Sequence, residues 1–170
     1  MKVLFIVPEI RLDSTPDNMP FWAGILAAIV ENKGGRVGIL DLNVLRMKYD
    51  GRQVPTKVIS EEISSEKWDL IGIGGLTTTY SRIKELCPLI KKCSPDSLLI
   101  AGGGWASYNP DEILQLVPEL DLICIGEGEE TFSEIYDEME HETKDFEKVN
   151  GLCLRDGKGF KFTGPRGLIS

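Results

Sequence analysis

The stretch Ser97-Leu-Leu-Ile-Ala-Gly-Gly-Gly-Trp-Ala-Ser-Tyr-Asn-Pro110 decides how the rest of the chain is arranged. Leu98 to Ala101 is an apolar run of the kind found in strands covered on both faces. Gly102, Gly103 and Gly104 end it with backbone that carries no Cβ, so another group can come close. Asn109-Pro110-Asp111-Glu112 follows with the marks of a helix start: a capping residue, proline at the first helical position and a glutamate able to reach back to the cap. Strand, glycine loop and helix in that order put the glycines at the carboxyl end of a strand, where open α/β sheets bind ligands.

The same alternation extends in both directions. Lys2 to Val7 is an apolar strand closed by Pro8. Trp22, Ile25, Leu26, Ile29 and Val30 recur at helical spacing, predicting a helix from about Phe21 to Lys33 that Gly34-Gly35 stops. Arg36 to Leu42 and Trp68 to Gly74 read as strands, with a short helix ending near Ser65 between them. Tyr80, Ile83, Leu86, Cys87 and Ile90 make the next helical stripe, and Ile113, Leu114 and Val117 the one after the opening stretch. Leu120 to Ile125 gives a fifth strand, and a helix from about Glu130 carries Phe132, Ile135, Tyr136 and Met139 on one face.

Five strands alternating with helices call for a parallel sheet with right-handed crossovers. The expected class is α/β: a three-layer, flavodoxin-like (Rossmann-like), five-stranded parallel sheet of order 2-1-3-4-5. Val149 to Arg155 and Phe160 to Thr163 flank Asp156-Gly-Lys-Gly159, which predicts a C-terminal β-hairpin, and Pro165-Arg166-Gly167 reads as an exit linker. The expected organisation is an α/β domain over 1–145 and a hairpin with linker over 146–170. Glu9 to Pro20 is longer than the ~2–6 residues usual after a strand and marks a functional loop.

At 170 residues with 42% hydrophobic content the chain suits one domain with a substantial core. A net charge of −8 with scattered lysines and arginines argues against nucleic acid and anionic membranes as partners. No apolar run approaches the ~20 residues of a membrane helix, and the start is no signal peptide, so a cytoplasmic protein is expected. Cys87, Cys93, Cys124 and Cys153 lack the close spacing of a zinc or iron–sulfur motif and read as buried free thiols. His141 lies among carboxylates, as at a solvated helix end.

Familiar ligand motifs are missing. No G-x-G-x-x-G follows the first strand, no stretch matches G-x-x-x-x-G-K-[ST], Gly74-Gly75 stands where a receiver domain would end its third strand in aspartate, and Asp13-Ser14-Thr15 comes too late for a flavin phosphate loop. Three small-residue loops remain along one edge: Gly74 to Thr78, Gly102 to Ser107 and Gly126 to Glu129. Glycines there serve either tight turns or a close-lying ligand. Three cleared strand ends suit a bulky ligand with an extended tail. Hydroxyls of Thr77, Thr78 and Ser107 would bond its polar groups, with Glu127 or Glu129 as acceptors.

The succession Gly-Gly-Gly-Trp-Ala-Ser, Asn-Pro-Asp-Glu, then Asp-Leu-Ile-Cys-Ile-Gly-Glu-Gly-Glu-Glu-Thr-Phe resembles the amino-terminal cobalamin-binding domain of cobalamin-dependent radical S-adenosylmethionine (SAM) proteins. The likeness continues through Gly151-Leu-Cys-Leu-Arg-Asp-Gly157 and Pro165-Arg166. It implies a corrin ring over the sheet edge, with its nucleotide tail passing the loops at Gly75 to Thr78 and Gly102 to Ser107 and lined opposite by Gly126 to Gly128. The candidate cofactor-binding residues are Glu9, Gly75, Leu76, Thr77, Thr78, Gly102, Gly103, Gly104, Ser107, Gly126, Glu127 and Gly128. The resemblance further implies a downstream radical SAM domain in cis, which would use S-adenosylmethionine and a [4Fe-4S] cluster.

Two departures bear on chemistry. Pro8-Glu-Ile-Arg-Leu-Asp13 lacks the D-x-H-x-x-G histidine that ligates cobalt in many cobalamin domains. The chain also has no C-x-x-x-C-x-x-C for an iron–sulfur cluster, so it would not cleave S-adenosylmethionine alone. An end at Ser170, just past the linker, fits an amino-terminal domain excised from a longer enzyme. The leading reading is a cobalamin-binding module serving methyl transfer or rearrangement. The alternatives are a cofactor-free docking or substrate-recruitment module of the same fold, and a nucleotide-binding α/β enzyme.

Overall fold

The computed structural model describes residues 1–10, 19–141, 144–157 and 159–167. One sheet contains β1 (Lys2–Val7), β2 (Arg36–Asp41), β3 (Leu70–Gly74), β4 (Leu98–Gly102), β5 (Leu122–Cys124), β6 (Leu152–Asp156) and β7 (Gly159–Phe162). Their spatial order is β2-β1-β3-β4-β5-β6-β7. Helices α1 (Phe21–Asn32), α2 (Leu42–Leu45), α3 (Thr56–Ser64), α4 (Tyr80–Cys93), α5 (Gly104–Tyr108), α6 (Pro110–Leu116) and α7 (Glu129–Glu140) connect them. The α/β class with a mostly parallel sheet is as the alternation of periods predicts.

The expected five-stranded, wholly parallel sheet is corrected to a seven-stranded mixed one. β1 to β5 pair in parallel, but β6 pairs antiparallel with β5, and β7 antiparallel with β6. The reason lies in where the chain re-enters the sheet. α7 carries it to the amino end, but Asn150 and Gly151 are back at the carboxyl end: Gly151 O accepts from Ile125 N at 2.8 Å and Asn150 O accepts from the Thr131 hydroxyl. A strand starting there must run antiparallel. Leu152, Cys153 and Leu154 are all buried, so the hairpin covers the β5 edge.

Smaller differences have local causes. The glycine loop after β4 holds an unexpected short helix, α5, because Gly103 O accepts from Ala106 N and Ser107 N, both at 3.1 Å. Asn109 makes no side-chain cap on α6; its amide donates instead to Glu112 Oε2 at 3.2 Å. Between the second strand and the short helix ending near Ser65, the chain also forms α2 and a 3-10 turn, Arg46–Tyr49. Much of the long loop read between Glu9 and Pro20 lies outside the described residues, as do Glu142 and Thr143 beside His141 and Lys158 of the hairpin turn.

The sheet separates two cores. Leu4, Ile6, Ile71, Ile73, Leu99, Ala101 and Ile123 face α3, α4 and α6. Val3, Phe5, Val7, Leu70, Ile100, Leu122 and Cys124 face α1 and α7. Alternation of side chains along each strand makes this division.

Candidate functional site

A cavity of about 670 Å³ opens at the carboxyl ends of β1, β3, β4 and β5, within the ~300–1,000 Å³ of ordinary ligand sites. It reaches down the α1/α7 face because glycines take alternate positions there. Gly72, Gly74 and Gly102 share that face with Phe5, Ile100 and Cys124, and all six line the cavity. A Cβ on Gly72 would meet the Phe5 ring at 2.8 Å, and one on Gly74 the Trp22 ring at 3.1 Å. Those two glycines admit the protein's own aromatics. Phe5 in turn sits 5.9 Å from Trp22, edge on, and 5.3 Å from Phe132, forming an aromatic floor.

The upper glycines divide between the two roles read from sequence. Gly103 has φ +94°, and its Cβ would lie 2.9 Å from Gly75 O, so the turn itself requires glycine. Gly104 and Gly128 adopt no such backbone, and a Cβ on either would meet nothing within 4 Å. Their bareness leaves room in the cavity.

Gly75, Leu76, Gly102, Gly103, Gly104, Gly126, Glu127 and Gly128 line the cavity together. Ser107 stands behind them. Its hydroxyl donates to Gly103 O at 3.1 Å and accepts from Gly126 N at 3.0 Å, joining the loops after β4 and β5. Thr77 and Thr78 are exposed in a 3-10 turn at the rim, where Thr79 rather than either of them closes the turn onto Leu76 O. Glu9 is apart from the cavity lining, with its side chain 2% exposed. Its carboxylate takes Arg82 Nε at 2.9 Å and Nη2 at 3.2 Å, and accepts from Val54 N at 3.1 Å.

Sequence reasoning missed the opposite pole of the cavity, lined by Asp41, Asn43 and Arg46. Asp41 caps α2 by accepting from Asn43 N at 2.8 Å, and the Asn43 side chain holds the chain leaving β1 through Pro8 O and Ile10 N. The signal was an Asx cap at Asp41, the last residue of β2, in a stretch read only as strand. The aromatic floor was also missed: Phe5, Trp22 and Phe132 come from three separate elements and carry ordinary core periodicity.

Among the described residues no three His, Cys, Asp or Glu groups converge as a metal site. His141 follows the far end of α7, which at 12 residues is about 18 Å long. Cys124 does line the cavity, but burial pushes its thiol up to about 12 against the opposing pull of Arg166. Burial likewise raises Cys87 to about 12 and Cys153 to about 11. These thiols stay protonated at neutral pH and are poor nucleophiles. No helix among the described residues is long and apolar enough to cross a membrane.

Comparison with known proteins adds to this geometry. The family described as the B12 binding domain matches residues 10–136. The cytidylyl-2-hydroxyethylphosphonate methyltransferase of Streptomyces wedmorensis is 27% identical over 172 residues, covering 93% of this chain and 32% of the relative. The anaerobic magnesium-protoporphyrin IX monomethyl ester cyclase of Synechocystis sp. is 29% identical over 100 residues, 59% of this chain and 20% of the relative. Among solved structures, the radical S-adenosylmethionine methyltransferase TsrM from Kitasatospora setae, with cobalamin and a [4Fe-4S] cluster bound, superposes with a TM-score of 0.80 at 20% identity. That match covers 99% of this chain and 30% of TsrM, so the chain spans roughly a fifth to a third of these relatives.

Proposed function

The chain belongs to the B12 binding domain family, and from that premise we propose that its cavity holds the nucleotide tail of cobalamin, with the corrin ring resting on the carboxyl edge of the sheet. The observation that carries this reading is the opening beneath the edge: glycines at 102, 104, 126 and 128 beside an aromatic floor. An extended chain ending in a flat heterocycle fits there, with the heterocycle beside Phe5 and Phe132. The hydroxyls of Thr77 and Thr78 at the rim would meet polar arms of the ring, and Glu127 would accept from its amides. Glu9 would act indirectly, by fixing the start of the β1 loop through Arg82 and Val54.

The donor set fits a ligand recognised by shape and hydrogen bonds, without a cobalt ligand from a histidine of this chain. When bound, cobalamin supplies a cobalt centre for methyl transfer or rearrangement; the protein supplies placement. The rim carries Met19 at 74% and Phe21 at 73% exposure, which favours a covering partner, and we assign that place to a radical SAM domain following this one in a longer chain. Four free thiols favour a reducing, cytoplasmic setting.

Hydroxocobalamin mixed with the purified chain and then desalted tests the reading. Corrin absorbance should travel with the protein. Protein that emerges colourless at high micromolar cobalamin, though folded by circular dichroism, would sink it.

A further inference from the structure

The segment after β7 leaves the sheet but returns to α7. Gly164 O accepts from Gly151 N at 2.9 Å. Two residues later the Arg166 side chain, only 11% exposed, folds back between two carboxylates. Its Nη2 donates to Glu134 Oε2 at 2.5 Å and to Asn150 O at 3.0 Å; its Nη1 donates to Glu134 Oε1 at 3.0 Å and Glu130 Oε2 at 3.1 Å. The two-pronged grip on Glu134 is one that a guanidinium makes and an ammonium does not.

The grip stands next to the cavity wall. Glu130 follows directly on Gly126 to Glu129, which line the cavity. Thr131, in the same turn, donates to Asn150 O, the carbonyl that Arg166 also holds. At the other end of this wall, Gly126 N donates to Ser107 Oγ. Between the two anchors, Gly126 and Gly128 have no side chain to pack, and a Cβ on either would meet nothing within 4 Å. Ser107 and Arg166 thus meet the wall at its two ends.

We propose that Arg166 is a positioning residue for the cavity: by clasping the first turns of α7 to Asn150, it holds the wall from Gly126 to Glu129 in place for the ligand. The clasp also links the outgoing chain to occupancy of the cavity. That second part rests on the reading that the cavity takes cobalamin. Linkage is reciprocal, so a ligand that fixes the wall must also keep Arg166 in its clasp.

The test compares the unaltered chain with Arg166→Ala and Arg166→Lys, reading amide exchange at residues 126–132 without ligand and aquocobalamin affinity by visible titration. Arg166→Ala should exchange those amides about tenfold faster and bind aquocobalamin about five- to tenfold more weakly, as expected for a lost charge-assisted contact. Lysine, with one prong, should recover part of both. Exchange unchanged in Arg166→Ala overturns the clasp, whether or not cobalamin binds. Faster exchange with unaltered affinity overturns its link to the cavity. If the unaltered chain takes up no cobalamin, the proposed function fails and the exchange comparison still decides the clasp.

Discussion

The two faces of the sheet share their strands and differ in what those strands present. Toward α3, α4 and α6, β3 offers Ile71 and Ile73, and both are buried against aliphatic neighbours. Toward α1 and α7, the same strand offers Leu70, Gly72 and Gly74, so two of its three positions carry no side chain. One face is filled by strand side chains; on the other, Phe5 and Trp22 take the space at Gly72 and Gly74, and the cavity opens beside them at the carboxyl end. Residues on the filled face should set stability, and residues on the open face should set what the cavity admits.

The largest effects are expected on the filled face. Ile71 is fully buried there, so Ile71→Ala should cost about 2–5 kcal/mol through lost burial and a residual void. Urea unfolding would show it as a lower midpoint at unchanged slope, while cobalamin uptake by the folded protein stays as before. Arg82→Ala should cost about 3 kcal/mol, because it leaves the Glu9 carboxylate buried without its guanidinium partner. Loss of cobalamin uptake by Ile71→Ala under fully native conditions would erase the distinction between the faces.

The open face sharpens the comparison with two adjacent glycines. Gly104→Leu projects a side chain into free space from ordinary helical backbone, so stability should change by less than about 0.5 kcal/mol. Cobalamin affinity should fall at least about thirtyfold, or about 2 kcal/mol. Gly103→Val behaves differently: a β-branched residue at φ +94°, pressed on Gly75 O, should destabilise the fold itself by about 1–3 kcal/mol. Valine at 103 is therefore a poor probe of the ligand, although the glycine run drew attention to it first. Normal uptake by Gly104→Leu would move the tail out of this cavity.

How much of this was legible in the sequence follows from the range of each signal. Strand and helix periods act over a few residues, so β1 to β4 and the long helices sit where Lys2–Val7 or Tyr80–Cys93 predict them. The glycine loops mark the edge at which the cavity opens for the same reason. The antiparallel placement of β6 depends on a long-range return, fixed by Ile125 N and Thr131 meeting the 150–151 backbone, and no local pattern encodes it. Glu9 looked like a candidate ligand contact because it follows β1; its partner Arg82 lies 73 residues away. The aromatic floor needed Phe5, Trp22 and Phe132 to converge from three elements, each with an ordinary core stripe.

Both faces carry a buried thiol, and alkali should probe them alike. Burial raises Cys87, on the filled face, and Cys124, on the open one, from 9.0 to about 12. Between pH 9 and 12 the unfolded thiol has lost its proton while the folded one keeps it, so the folded state binds more protons and stability falls as pH rises. Below pH 9 both states are protonated and these groups contribute no slope. Each thiol should add about 1.4 kcal/mol per pH unit within that window. Unfolding of Cys124→Ala followed from pH 8 to 11 should lose one such slope relative to the unaltered chain. Bound cobalamin should steepen the remaining contrast if it shields Cys124 and not Cys87.

The smallest effect belongs to the rim. Thr78 is exposed and its hydroxyl is free to turn toward a ring seated on the edge, but water competes for the same donor and acceptor. Thr78→Val keeps the shape and removes the hydroxyl, so aquocobalamin affinity should fall only about two- to fivefold, matching ~0.5–1 kcal/mol for an exposed hydrogen bond. A loss as large as that of Gly104→Leu would place the main recognition at the rim and demote the cavity to a packing feature of the α1/α7 face. A loss confined to this small range keeps affinity with the opened face, where shape excludes or admits the tail, and leaves the rim to orient the ring.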